Sequence, residues 1–176
     1  LADLDIRFHA FEGDINPNKK YNKALLEFLK GNKSLLDSRQ GKIRIGHSNP
    51  GAMTEEVIKE LKNLDLGDNL IVEFNPRTYM ELGGKGTEPL QKQLKLLLEN
   101  DLNIVFGADS FGKFTHVCDK GGQVCRSSFS RVLEDVVKGA KLNKEQAKKL
   151  MQSFLNNDLP KEHISSAFRL ILDSQD

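Results

Sequence analysis

Polar and apolar residues alternate in residues 4–9 and again at 42–46, and short, largely apolar runs recur at 69–74 and 102–106. Alternation with a period of two, and short apolar runs bounded by turn residues, are typical of β-strands. The pattern therefore predicts four strands spread evenly over the first two thirds of the chain.

The segments between these runs carry apolar residues three or four positions apart, which is the spacing of an amphipathic helix. The apolar stripes are Leu25, Leu26, Phe28 and Leu29; Val57, Ile58, Leu61 and Leu64; and Leu90, Leu94, Leu97 and Leu98. Three further helices are predicted over 128–138, 144–154 and 161–172, the second with an Asn143-x-x-Gln146 capping pair. Alternating strands and helices predict an α/β fold with a parallel sheet, built as four consecutive βα units with a helical C-terminal tail.

Size and charge narrow the class of protein. The 176 residues, of which 38% are hydrophobic, are enough for one packed domain spanning 1–176, and a formal net charge of +1 gives no reason to expect nucleic acid as a partner. No apolar stretch approaches the roughly 20 residues of a membrane span, and the acidic, alternating start does not resemble a signal segment. We therefore expect no membrane association and a cytoplasmic location, with secretion as the alternative.

The two cysteines do not suggest a metal site. Cys118 and Cys125 are too far apart for a Cys-x-x-Cys metal or redox motif. Free thiols are the favoured interpretation, and a local disulfide in an oxidising compartment is the other.

Three polar clusters stand where predicted strands end: His-Ala-Phe-Glu at 9–12, Arg-Ile-Gly-His at 44–47 and Gly-Ala-Asp-Ser at 107–110. The carboxyl ends of parallel strands meet at one edge of the sheet, where α/β proteins hold their active sites. Imidazoles and carboxylates are the ligands that a hydrolytic metal site needs. Taken singly, each residue also fits a structural role, such as a hydrogen-bonded histidine or a helix cap.

In this order and spacing, the clusters resemble the motifs of adenosine-deaminase-like metal-dependent hydrolases, a (β/α)8-barrel family of the amidohydrolase superfamily. The resemblance covers about residues 4–112 and corresponds to the C-terminal half of the barrel, from its fifth strand to its eighth. It implies that His9 and Asp109 bind zinc and that Asp109 also takes part in catalysis. Glu12 would protonate the purine ring, and His47 would orient or deprotonate the metal-bound water. The implied substrate is an amino-purine nucleoside or nucleotide, hydrolysed with release of ammonia.

Two residues depart from the family pattern at positions that face the substrate. Phe11 stands where the family has glycine, and its benzyl group is expected to crowd a bound purine. Ser110, also predicted to contact the substrate, replaces a second aspartate and so exchanges a charged acceptor for a neutral donor and acceptor. The reaction class is thus better supported than adenosine itself.

The family completes its zinc shell with a His-x-His pair on the first barrel strand, and this sequence contains no such pair. We therefore expect a missing N-terminal half-barrel or a partner chain. An open half-barrel also leaves two unpaired edge strands, so a missing segment, a partner half or a covered edge is expected. The alternatives are a catalytically inactive barrel fragment that serves as a binding or interaction module, and a hydrolase of the same superfamily acting on another C–N bond.

Overall fold

A computed structural model describes residues 4–13, 16–84, 86–107 and 129–155. The strands are β1 (Ile6–His9), β2 (Ile43–His47), β3 (Leu70–Phe74) and β4 (Asn103–Phe106). The helices are α1 (Asn16–Gly31), α2 (Lys33–Asp37), α3 (Glu55–Asn63), α4 (Pro76–Glu81), α5 (Glu88–Glu99), α6 (Phe129–Ala140) and α7 (Lys144–Leu155). The four predicted strands are confirmed, each within one or two residues of its expected ends.

The strands form one parallel sheet in the order β1-β2-β3-β4, so that each strand lies beside its neighbour in the chain. The register aligns His9 with Gly46, Gly46 with Glu73, and Glu73 with Val105. The end of β1 therefore lies at the same level as the ends of the other strands. This confirms the mixed α/β fold with a four-stranded parallel sheet.

One face of the sheet packs against the helices in a single apolar core. Alternate strand residues, such as Ile45, Val72 and Ile104, are fully buried there. The helix residues that join them include most of the predicted stripes: Leu25, Leu26, Leu29, Ile58, Leu61, Leu64, Leu90, Leu94, Leu97 and Leu98. The exceptions are Phe28, which is 48% exposed, and Val57, which is half-buried.

The alternate positions of the strands carry a different set of side chains. Successive side chains of a strand point to opposite faces, and the second face carries Arg7, His9, Arg44 and Glu73. Parallel sheets are usually apolar on both faces because both are covered by helices. The charged side chains therefore distinguish this face from the apolar face that packs against the helices.

An edge of the sheet is covered at β4 by a helix. Ser153 in α7 accepts a hydrogen bond from the Ile104 N–H at 2.8 Å and donates from Oγ to the Ile104 carbonyl at 2.5 Å. The hydroxyl thus satisfies both backbone groups of a residue in β4, the last strand of the sheet. Of the solutions expected for an unpaired edge, cover by another element is found here.

Three short elements were not predicted: α2, α4 and a 3-10 turn at Gly67–Asn69. Pro76 follows shortly after the third strand and starts α4, since its fixed φ suits the first helical turn. The capping pair is confirmed, because Asn143 and Gln146 exchange backbone-to-side-chain hydrogen bonds at 3.0 and 2.9 Å. The predicted helix over 161–172 and both cysteines lie outside the described residues. In the part that the structure describes, no helix is both long and apolar enough to cross a membrane.

Candidate metal centre

The loop that follows β1 is fixed in place by backbone and asparagine hydrogen bonds. The Ala10 N–H donates to the Gly46 carbonyl, and the His47 N–H donates to the Ala10 carbonyl, which continues the ladder past the end of β1. The Phe11 N–H donates to Asn22 Oδ1 at 3.0 Å, and Asn49 Nδ2 donates to the Glu12 carbonyl at 2.6 Å. These contacts set the positions of the side chains on either side of Phe11.

The end of β1, the loop after it and the end of β2 bring together His9, Glu12 and His47. His9 Nε2 lies 3.0 Å from Glu12 Oε2. His47 Nε2 lies 3.2 Å from each of the two ring nitrogens of His9, and the two rings meet edge to face with their centroids 4.3 Å apart. One nitrogen or oxygen of each residue lies within 4.8 Å of the others, so the three form a cluster able to hold a metal ion.

The cluster is buried on one side and open on the other. His47 is completely buried, whereas the side chains of His9 and Glu12 are 59% and 34% exposed. Two imidazoles and one carboxylate are donor types that zinc takes in proteins. A ligand could therefore reach the cluster from the side of His9 while His47 stays fixed.

Asn75 contacts the ring nitrogen of His47 that does not face His9. Its Nδ2 lies 2.9 Å from His47 Nδ1, and the asparagine is only 1% exposed. Asn75 Oδ1 is also buried and has no hydrogen-bond partner among the described residues. A Cβ at Gly107 would lie 1.9 Å from this oxygen, so the glycine after β4 is what leaves room for the amide.

An ion pair crosses the polar face of the sheet beside the cluster. Arg7 donates from Nε and Nη2 to Glu73 Oε2 at 2.8 and 2.7 Å, and Glu73 is 7% exposed. Gly46 lies between them, because a Cβ there would come within 2.9 Å of the same carboxylate oxygen. The pair links β1 to β3 across β2 at the level of His9.

The structure thus brings together three of the five residues predicted for the site. His9, Glu12 and His47 converge, whereas Asp109 and Ser110 lie outside the described residues. For the predicted zinc cofactor, the structure provides a group of three residues at distances that allow them to bind a metal ion. The supporting asparagines, Asn22, Asn49 and Asn75, are not among the residues predicted for the site.

Phe11 lies in the core rather than at the site surface. Its ring has no exposed area and joins the apolar core. Its φ of 55° falls in the left-handed region that favours glycine. The benzyl group, which was expected to crowd a bound purine, therefore lines no accessible surface.

Comparisons of the chain with protein-family models, with curated proteins and with solved structures find no match.

Proposed function

We propose that the chain is the C-terminal half of a zinc-dependent, adenosine-deaminase-like hydrolase that releases ammonia from an amino-purine nucleoside or nucleotide. The observation that carries the proposal is the convergence of His9, Glu12 and His47 at the carboxyl edge of the parallel sheet. Enzymes with parallel α/β sheets hold their catalytic residues at this edge.

The order of the strands supports a half-barrel, although the contact of Ser153 with Ile104 would have to be released for a first barrel strand to pair with β4. A doubly wound open sheet reverses its strand order at a switch point, whereas consecutive strands that always lie side by side are typical of a barrel. The order here is β1-β2-β3-β4 with every pair parallel. The charged side chains of Arg7, Arg44 and Glu73 on the face opposite the core would then line the interior of the barrel.

In this proposal the chain supplies part of the metal shell and the groups that handle protons. His9 and Asp109 would hold zinc, which when bound would lower the pKa of a coordinated water to about 7 and so supply hydroxide at neutral pH. Glu12, three residues after His9, would protonate the purine ring nitrogen beside the carbon that is attacked. His47 would orient the attacking water, and Ser110 would contact the base.

The test uses the complete protein, with the first half of the barrel or its partner chain present. Glu12→Gln should retain zinc through the remaining ligands and lose ammonia release from adenosine and adenosine monophosphate. Glu55→Gln is the matched control, since Glu55 lies on α3 and pairs only with the exposed Lys59 among the described contacts. Undiminished ammonia release by Glu12→Gln would contradict the proposal.

A second candidate is a catalytically inactive barrel kept as a binding module. It is favoured by the lack of a His-x-His pair in the sequence and by Phe11, which replaces glycine in a left-handed backbone conformation. Zinc analysis of the complete protein separates the two. A zinc-free protein that still binds a nucleoside supports the binding module, and one zinc ion per protein counts against it.

A further inference from the structure

The resemblance places two zinc ligands in this chain, His9 and Asp109, but a catalytic zinc site needs three protein ligands and an open position. The described residues offer a different set. His9, Glu12 and His47 each present a donor atom, and these atoms lie within 4.8 Å of one another. We infer that this chain alone forms a three-ligand site for a divalent transition metal from His9, Glu12 and His47.

The distances between the donor atoms fit a shared ion. Two ligands bound to zinc at 2.0–2.1 Å in a tetrahedral arrangement are separated by about 3.3 Å. The distance from His9 Nε2 to His47 Nε2 is 3.2 Å, and that from His9 Nε2 to Glu12 Oε2 is 3.0 Å. Both edges of the triangle that meet at His9 therefore have nearly the length that the ion requires.

The contact between the two imidazoles is poorly explained as a hydrogen bond. His47 Nε2 lies 3.2 Å from both Nδ1 and Nε2 of His9. The two nitrogens of an imidazole direct their proton or lone pair away from each other, and a hydrogen bond needs near-linear geometry. A nitrogen equidistant from both is aligned with neither, so binding one ion through both imidazoles requires the exposed His9 ring to turn until one of its nitrogens points between His47 and Glu12.

Asn75 supplies an independent reason to make His47 a ligand. A histidine that binds metal through one ring nitrogen almost always donates its other N–H to an oxygen. Asn75 lies 2.9 Å from His47 Nδ1 and has a buried oxygen with no partner among the described residues. Turning this amide by 180° places Oδ1 against the Nδ1–H and leaves the Nε2 lone pair facing His9 and Glu12.

This inference does not rest on deaminase activity, and it gives Glu12 and His47 ligand roles in the chain by itself. The test is a titration of the 176-residue chain with Co²⁺ alone, followed by visible absorbance. Cys118→Ser and Cys125→Ser are included as a common background, so that thiolates do not bind the metal. We expect one Co²⁺ per chain, displaced by one Zn²⁺.

Single variants identify the ligands. His9→Gln, Glu12→Gln and His47→Gln should each weaken Co²⁺ binding by more than 100-fold, whereas Asp109→Asn should change it by less than about 10-fold. Removal of a residue that only orients a ligand already costs about 10–100-fold. His163→Gln, which removes an imidazole outside the motifs, is the matched control. Because His9 and Glu12 are partly exposed, their variants keep the test informative even if the buried His47→Gln does not fold.

Pulsed electron paramagnetic resonance of the Cu²⁺-loaded chain counts the bound imidazoles. Two are expected in the parent chain and one in His47→Gln. Asn75→Leu should weaken Co²⁺ binding by about 10–100-fold, and Asn75→Asp, which keeps an oxygen acceptor, should restore it.

Several results would overturn the inference. These are no Co²⁺ binding, an equal loss in His163→Gln, or loss in Asp109→Asn with retention in Glu12→Gln. The last result would instead support the ligand set of the proposed hydrolase. Ammonia release is measured separately in the complete protein, so failure of one proposal leaves the other testable.

Discussion

The ion pair between Arg7 and Glu73 is expected to stabilise the sheet beneath the site. Arg7→Met removes the cation and leaves the Glu73 carboxylate, which is 7% exposed, without its two hydrogen bonds from the guanidinium at 2.8 and 2.7 Å. A buried charge without its partner is strongly destabilising because water cannot replace the lost contacts.

The magnitude follows from the burial of the two partners. Breaking a fully buried pair costs about 3–5 kcal/mol. The Arg7 side chain is 43% exposed, so solvent screens part of the interaction. We therefore expect Arg7→Met to lower the free energy of unfolding by about 2 kcal/mol. The double variant Arg7→Met/Glu73→Met should be more stable than Arg7→Met, since no buried charge remains.

Urea unfolding of the two single variants and the double variant, followed by circular dichroism, gives the coupling energy between the residues. The matched control is the cycle for Glu88 and Lys92, an exposed pair 2.8 Å apart on α5, where no measurable coupling is expected. If the losses in unfolding free energy of Arg7→Met and Glu73→Met sum to that of the double variant within about 0.5 kcal/mol, the two residues are not coupled and the expected stabilisation by the ion pair is refuted.

Three further outcomes are expected. The hydrogen bond from Lys149 holds the pKa of Asp101 below its usual range, so its carboxylate stabilises the fold above the unfolded pKa of about 3.9, and this stability is lost as the pH falls through the folded pKa. Asp101→Asn should remove this pH dependence of stability, which amounts to less than about 1 kcal/mol for so exposed a pair. Identical acid unfolding curves for the parent chain and Asp101→Asn would contradict this expectation. Ser153→Ala should cost about 1–3 kcal/mol in urea unfolding because both backbone groups of Ile104 lose their partner; a change near zero would count against this cover of the edge strand. Gly107→Ala should displace the amide behind the buried histidine and weaken Co²⁺ binding by about 10-fold or more, and unchanged affinity would argue against that support.

The strands and main helices could be predicted because their pattern repeats over many residues. The spacing of Leu90, Leu94, Leu97 and Leu98 leaves one apolar face, and these residues are buried. The short helices α2 and α4 have only five and six residues, too few for a helical period to stand out. Pro76 was ambiguous for a local reason, since proline both stops a strand and begins a helix.

The convergence of His9 and His47 was predictable from their positions at the ends of neighbouring parallel strands. The residues that hold these side chains in place could not be predicted, because their contacts depend on distances between segments far apart in the chain. Asn75 looks like a turn residue in the sequence, and only its place beside Gly107 brings its amide to the imidazole. The ion pair between Arg7 and Glu73 could not be predicted for the same reason. The two residues lie far apart in the chain and meet only through the register of three strands.

The central claim is that the cluster at the carboxyl edge of the sheet is a metal centre anchored by His9. The most direct measurement is the zinc content of the 176-residue chain and its His9→Gln variant, in the background of Cys118→Ser and Cys125→Ser. Both are loaded with Zn²⁺, passed through metal-free buffer and analysed by mass spectrometry. One zinc ion per chain in the parent and none in His9→Gln is the predicted result. No bound zinc, or the same zinc content in both proteins, would contradict the claim.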